Sequence, residues 1–208
     1  MDRRRTVAAA AALALATYAA PGAVAAAAPA AAFAFPNLLD ASQWKQLGYG
    51  TWTNGTTDKG KRVTFIFCAT EPLPEASTVY RDFDADGPFA TEHVTHTAGP
   101  AEARRLAKAW LHNALACNAE RLQKGLKAKT KVVQHGSVQV EDGLRLAAVY
   151  FHTPARGYIK ADDGMRLYAV GVDGGNVMTV EAWLDGKQKE APIKQFRRLT
   201  STGLRQMY

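Results

Sequence analysis

The stretch from Pro100 to Lys124 limits the architecture of this chain more than any other part of it. Proline stands in the first turn, where a missing N–H costs no intrahelical bond, and Glu102 lies close to the positive end of the helix. Leu106, Trp110, Ala114 and Cys117 recur at helical spacing, Leu111, Leu115 and Leu122 widen the apolar stripe, and Gly125 supplies a stop. The pattern predicts one amphipathic helix over 100–124 with Cys117 on its buried-looking face. Segments of strand character flank it on both sides, so the stripe has a sheet to cover.

Before the helix, Tyr49 to Thr53 and Arg62 to Cys68 read as strands joined by a loop that starts at Asn54-Gly55, and Phe89 to Thr97 reads as a more polar strand. A short helix carrying Trp44 and Leu47 precedes them, capped by Asp40 or Ser42 and ended by Gly48. After the helix come Lys131 to Val140, Leu144 to Thr153, Met165 to Val172 and Val177 to Leu184. The last two form a hairpin, because Gly174-Gly175 between Asp173 and Asn176 supplies the positive φ angles of a tight primed turn. Pro192 opens a final helix with Ile193, Phe196, Leu204 and Met207 on its inner side. The expected fold is α+β: an antiparallel sheet of about six strands, packed on one face by the long central helix and the C-terminal helix, and stapled by one disulfide.

Composition matters at the N-terminus, where 18 of the first 34 residues are alanine. Arg3, Arg4 and Arg5, the apolar run Val7 to Ala16 and the small-residue tract Ala19 to Ala28 have the layout of a secretory signal peptide. The alanine-dominated run is too weakly apolar for a membrane span. Residues 1–28 are therefore expected to be cleaved, 29–37 to stay disordered, and 38–208 to form one domain of an extracellular protein with no membrane span. Losing the three arginines and Asp2 lowers the formal charge from +7 to +5. That balance suits anionic envelope polymers, whereas no concentrated basic element points to nucleic acid.

Cys68 and Cys117 are the only cysteines. In an oxidising compartment a disulfide between them is the default, worth about 4 kcal/mol in chain entropy for the loop it closes. Free thiols or a metal pair are the alternatives, and no histidine or cysteine lies at ligand spacing to either.

Phe65-Ile66-Phe67-Cys68, Tyr80-Arg81-Asp82-Phe83, and the segment Ala101-Glu102-Ala103 leading to Trp110-Leu111-His112-Asn113-Ala114-Leu115-Ala116-Cys117 resemble the PknH-like extracellular sensor domain family of actinobacteria. The hairpin Val170-Gly171-Val172 to Gly175-Asn176-Val177-Met178-Thr179-Val180 is similar to that family's Gly-Asn-Val strand. The likeness extends over about residues 40–207. It implies an exported α+β ligand-binding or sensing domain with a cleft and no catalysis. The kinase domain, membrane tether and second disulfide of the kinase-linked members have no counterpart in these residues, so the resemblance implies a free secreted module.

Asp82, Asp84 and Asp86 alternate before Gly87, the way a calcium loop presents oxygens from one side of a tight turn. The bidentate Glu required at loop position 12 is replaced by His93, so a solvated acidic turn is the competing reading and no other cofactor is indicated. Lys127, Lys129 and Lys131 alternate and would form a basic stripe for an anionic polymer if the strand begins early. Tyr49 and Trp52 would either stack on a sugar ring or fill the core beneath Trp44. No Gly-x-Ser-x-Gly, His-Glu-x-x-His or phosphate-binding glycine loop is present. The expected function is a secreted, non-enzymatic sensor-like or solute-binding domain, its partner a small molecule or an envelope polymer. The alternatives are an anionic wall-polymer binder and an envelope hydrolase with a dispersed site drawn from His93, His152, Asp84 and Asp86.

Overall fold

A computed structural model describes residues 36–59, 77–156 and 160–208, all within the compact unit Phe33–Tyr208. The segments expected as signal peptide and as the strand Arg62 to Cys68 lie outside the described residues. Three α-helices are described: α1 (Ala41–Trp44), α2 (Pro100–Leu126) and α3 (Ile193–Gln206). The described strands are β1 (Thr53–Lys59), β2 (Thr78–Asp84), β3 (Phe89–His96), β4 (Lys129–Val138), β5 (Leu144–Thr153), β6 (Asp162–Asp173) and β7 (Asn176–Asp185). They form one antiparallel sheet of order β1-β2-β3-β7-β6-β5-β4. Among the described residues no helix is long and apolar enough to cross a membrane.

This order explains the length of α2. The chain leaves mid-sheet at β3 and must start β4 at the far edge, so the helix carries it past three strand positions before β4 to β7 walk back to pair with β3. Crossing strands about 4.8 Å apart takes roughly 20 Å, and 27 residues at 1.5 Å each give about 40 Å. The helix therefore lies obliquely over the sheet with length to spare. It runs past Gly125, ending where Lys127 takes a left-handed conformation (φ 52°) and Ala128 N–H reaches Leu122 O.

The helices pack on opposite faces of the sheet, which corrects the one-face expectation. Trp110, Ala114, Leu115 and Leu122 of α2 cover Ala147, Val149, Tyr168, Val170, Val172 and Val177. On the other face α1 and α3 bring Trp44, Phe196, Leu199 and Leu204 against Phe83, Val94, Leu146, Met165, Leu167, Met178 and Val180. The reason lies in β5 to β7, whose two side-chain sets are both largely apolar, as strands buried on both faces require.

The N-terminal part departs from expectation in three ways. Tyr49–Trp52 is not a strand: Gly48, Tyr49 and Gly50 all have positive φ, which breaks an extended run. Asn54-Gly55 does not turn the chain but lies inside β1, at an irregularity in its register with β2. Order also begins before Leu38. Asn37 N–H donates to Met207 O and Asn37 Nδ2 to Gln206 O, tying the last residue of the segment expected to be disordered to the end of α3.

Asp40 caps α1 as expected, accepting from Ser42 N–H while its own N–H donates to Gln43 Oε1. Hydrogen bonds from Ser42 and from the Asn54 side-chain amide hold the Asp40 carboxyl down at about 2. The disulfide is a separate matter. Cys117 sits half-buried on α2 and is not a free thiol, while Cys68 lies outside the described residues.

Candidate ligand-binding site

Arg104, Lys108 and Leu111 are spaced i, i+4 and i+7 on α2, so they share one helix face. That face overhangs the turn between β4 and β5. Between them lies a groove of about 530 Å3, lined by Arg104, Ala107, Lys108 and Leu111 from the helix, by Ser137 to Gln139 and Asp142 to Arg145 from the hairpin, and by Val170 and Val172 from β6. The volume is in the range of small-molecule sites.

The turn itself is fixed by its backbone. Glu141 (φ 46°) and Gly143 (φ 116°) are left-handed, Asp142 N–H donates to Val172 O, and Asp142 Oδ2 accepts from Gly174 N–H. One carboxylate thus bolts the β4–β5 turn to the β6–β7 turn and is occupied in doing so. Arg104, Lys108 and Arg145 are exposed, and among the described residues none of the three forms an ion pair. The groove therefore combines unneutralised positive charge at its rim with an apolar floor, Val170 and Val172 being almost fully buried. The nearby N-terminal turns of α2 add to the positive potential.

A second feature of this sheet face is its polarity away from the groove. Register aligns Tyr168, Glu181, Thr91 and Asp82 in one row across β6, β7, β3 and β2, and Val170, Thr179, His93 and Tyr80 in the next. Thr78, Thr91, His93, Thr95, Thr179 and Glu181 are all essentially inaccessible. His93 stacks on Tyr80 with ring centroids 5.4 Å apart. Arg166 places its guanidinium 3.5 Å over the Trp183 ring and donates to Asn118 Oδ1 of α2, while Glu181 accepts from Trp183 Nε1. Burial pushes the Glu181 carboxyl up to about 8 despite Arg166 at 4.0 Å. This network joins the long helix to the sheet.

The residues singled out in the sequence fall as follows. Asp82 and Asp84 lie on β2 and Asp86 in the following turn, and among the described residues no three His, Cys, Asp or Glu side chains gather as a metal site. Trp52 is core, 3% exposed and 5.1 Å from the Trp44 ring, with Nε1 donating to Gly48 O. Tyr49 is half-buried and donates its hydroxyl hydrogen to Asp185 O. Core filling, one of the two readings for this pair, is what Trp52 does. Lys127 caps α2, whereas Lys129 and Lys131 lie exposed on edge strand β4 opposite His152 and Tyr150.

The dispersed His/Asp set is not gathered. His93 lies on the α2 face of β3, His152 lies on the other face of β5, and two strands separate them. His152 instead pairs with Asp163, Nδ1 to Oδ1 at 2.9 Å.

Arg104, Lys108 and Arg145 went unremarked in the sequence, although two signals were there. Basic residues at i, i+4 stand beside the apolar stripe of the helix, and Arg145 interrupts the apolar Leu144–Tyr150 strand. Comparison with protein-family models, with curated proteins and with solved structures finds no match for this chain.

Proposed function

We propose that this chain is an exported, non-enzymatic solute-binding domain of sensor-like type, and that it holds an anionic solute with an apolar body in the groove between α2 and the β4–β5 turn. The observation that carries the reading is the set of three cations, Arg104, Lys108 and Arg145, without ion pairs among the described residues, over the apolar floor of a 530 Å3 groove. Such a site attracts an acid head by charge and takes its hydrocarbon by burial. The signal-like N-terminus supports export, as does the disulfide expected between Cys68 and Cys117. The likeness of the Trp110–Cys117 and Asn176–Val180 segments to the PknH-like sensor domains points the same way, resting on those residues alone.

Decanoate, decanol and decylamine serve as probes in calorimetric titrations. Decanoate binds, decanol binds less tightly and decylamine does not bind. The double variant Arg104→Gln/Arg145→Gln weakens decanoate about tenfold or more, since each charge-assisted contact at a half-open site contributes roughly 1 kcal/mol. Equal affinity for acid and alcohol, or an unaffected double variant, would overturn the reading.

A further inference from the structure

A second pocket, of about 280 Å3, lies at the opposite end of the β4–β5 ladder. With ten residues in each strand, the two sites are separated by about 30 Å along the strands. The nearer row of this pocket is Lys129, His152 and Asp163, aligned across β4, β5 and β6. Lys131 projects beside Lys129 on the same face, and Lys187 enters from the segment after β7.

The charge inventory is lopsided. Lys129, Lys131 and Lys187 face the pocket, and among the described residues none of them forms an ion pair. The one carboxylate in the lining, Asp163, is occupied by His152. Lys131 Nζ is steadied by a neutral group, donating to Gln188 Oε1 at 3.1 Å, so the contact positions the ammonium without neutralising it. The shape is fixed as well. Phe151 lies against Gly164 so closely that a Cβ there would be 2.3 Å from the ring Cζ, and Gly186 takes a left-handed conformation (φ 110°) beside Glu190.

We infer that this pocket is a phosphate site, in which Lys129, Lys131 and Lys187 surround one phosphate group of a phosphate ester or phosphate polymer. Ammonium groups are compact point charges that approach a tetrahedral anion from several directions, which is how lysines hold phosphate. The opening suits one phosphate and the unit attached to it. The two sites differ in chemistry, face and position, so this inference stands apart from the one for the groove.

Inorganic phosphate and a short linear polyphosphate are the probes, followed by calorimetry and by 31P line broadening. Both bind the unaltered chain. Similar affinity for the two assigns a free phosphate ester, and tighter polyphosphate binding that weakens steeply with salt assigns a polymer. Lys129→Gln/Lys131→Gln weakens either probe about tenfold, corresponding to roughly 1.4 kcal/mol. Lys45→Gln/Lys124→Gln removes the same charge at exposed helix positions outside the pocket lining and leaves binding unchanged. The inference is overturned if both double variants lose affinity equally, which would be bulk charge alone, or if neither probe binds at millimolar concentration. Decanoate binding in the groove persists in Lys129→Gln/Lys131→Gln, which separates failure here from failure of the groove.

Discussion

Raising the pH from 5 to 9 lowers the stability of this protein by several kcal/mol. Glu92 and Glu181 are fully buried on opposite faces of neighbouring strands, and burial pushes both carboxyls up to about 8 from an ordinary 4.5. Glu92 accepts from Leu39 N–H, and Arg81, which donates to Leu39 O, opposes the shift; Glu181 faces Arg166, Tyr168 and Trp183. A carboxyl whose folded value lies above its unfolded value gives its full stabilisation below about 4.5 and loses it as pH rises toward 8. The pair together is worth on the order of 5 kcal/mol or more at one pKa unit per 1.36 kcal/mol, reduced by relaxation.

Other groups work in the opposite sense. Asp40, Glu102 and Glu120 are held low by hydrogen bonds, so their contribution is lost as pH falls below the ordinary carboxylate range. His135, lowered by burial and by Arg197, disfavours folding below its ordinary 6.5. Two raised carboxyls outweigh one lowered histidine above the carboxylate range, so maximal stability lies near 4.5. Glu92→Gln/Glu181→Gln mimics the neutral acids and flattens the alkaline slope in urea unfolding followed from pH 5 to 9. A slope as steep in the double variant as in the parent would refute the assignment.

Trp44→Ala costs about 3–5 kcal/mol, the loss expected for a large aromatic deleted from a packed core. Trp44 is completely buried, with ring centroids 5.1 Å from Trp52 and 4.9 Å from Phe83. It sits on a helix of four residues, too short to hold itself, so the indole anchors α1 to the sheet rather than the reverse. Among the described residues its Nε1 has no hydrogen-bond partner, which makes the contribution one of packing. Trp44→Phe accordingly loses much less. A urea midpoint that moves equally for the alanine and phenylalanine variants would contradict this.

The elements legible in the sequence were those with a local cause. Pro100 and the stripe from Leu106 to Leu122 announced α2, and Gly174-Gly175 announced the β6–β7 hairpin, because helix periodicity and turn chemistry are encoded within a few residues. Strand β2 was missed as an element. In Thr78-Val79-Tyr80-Arg81-Asp82-Phe83-Asp84 the apolar face of Val79 and Phe83 is broken by Arg81, and the alternating carboxylates fit a calcium turn as well as a strand. The opposite placement of the two main helices was legible only in the double-sided apolar character of β5 to β7.

The groove was harder to see because it is a tertiary product. Nothing near Arg104 in sequence shows that Arg145 will stand across from it once β4 to β7 have walked back beneath the helix. The buried polar rows were hidden for a similar reason, since Thr91, His93 and Glu181 look like solvent-facing positions until the second face of the sheet is covered.

Nuclear magnetic resonance of the uniformly 15N-labelled protein during titration with decanoate tests the groove most directly. The account predicts amide shifts concentrated at residues 104–111, 137–145 and 170–172, saturating below the concentration at which the probe forms micelles. Shifts that are largest at Lys129–Lys131 and His152, or that are spread evenly over the surface without saturating, would contradict it.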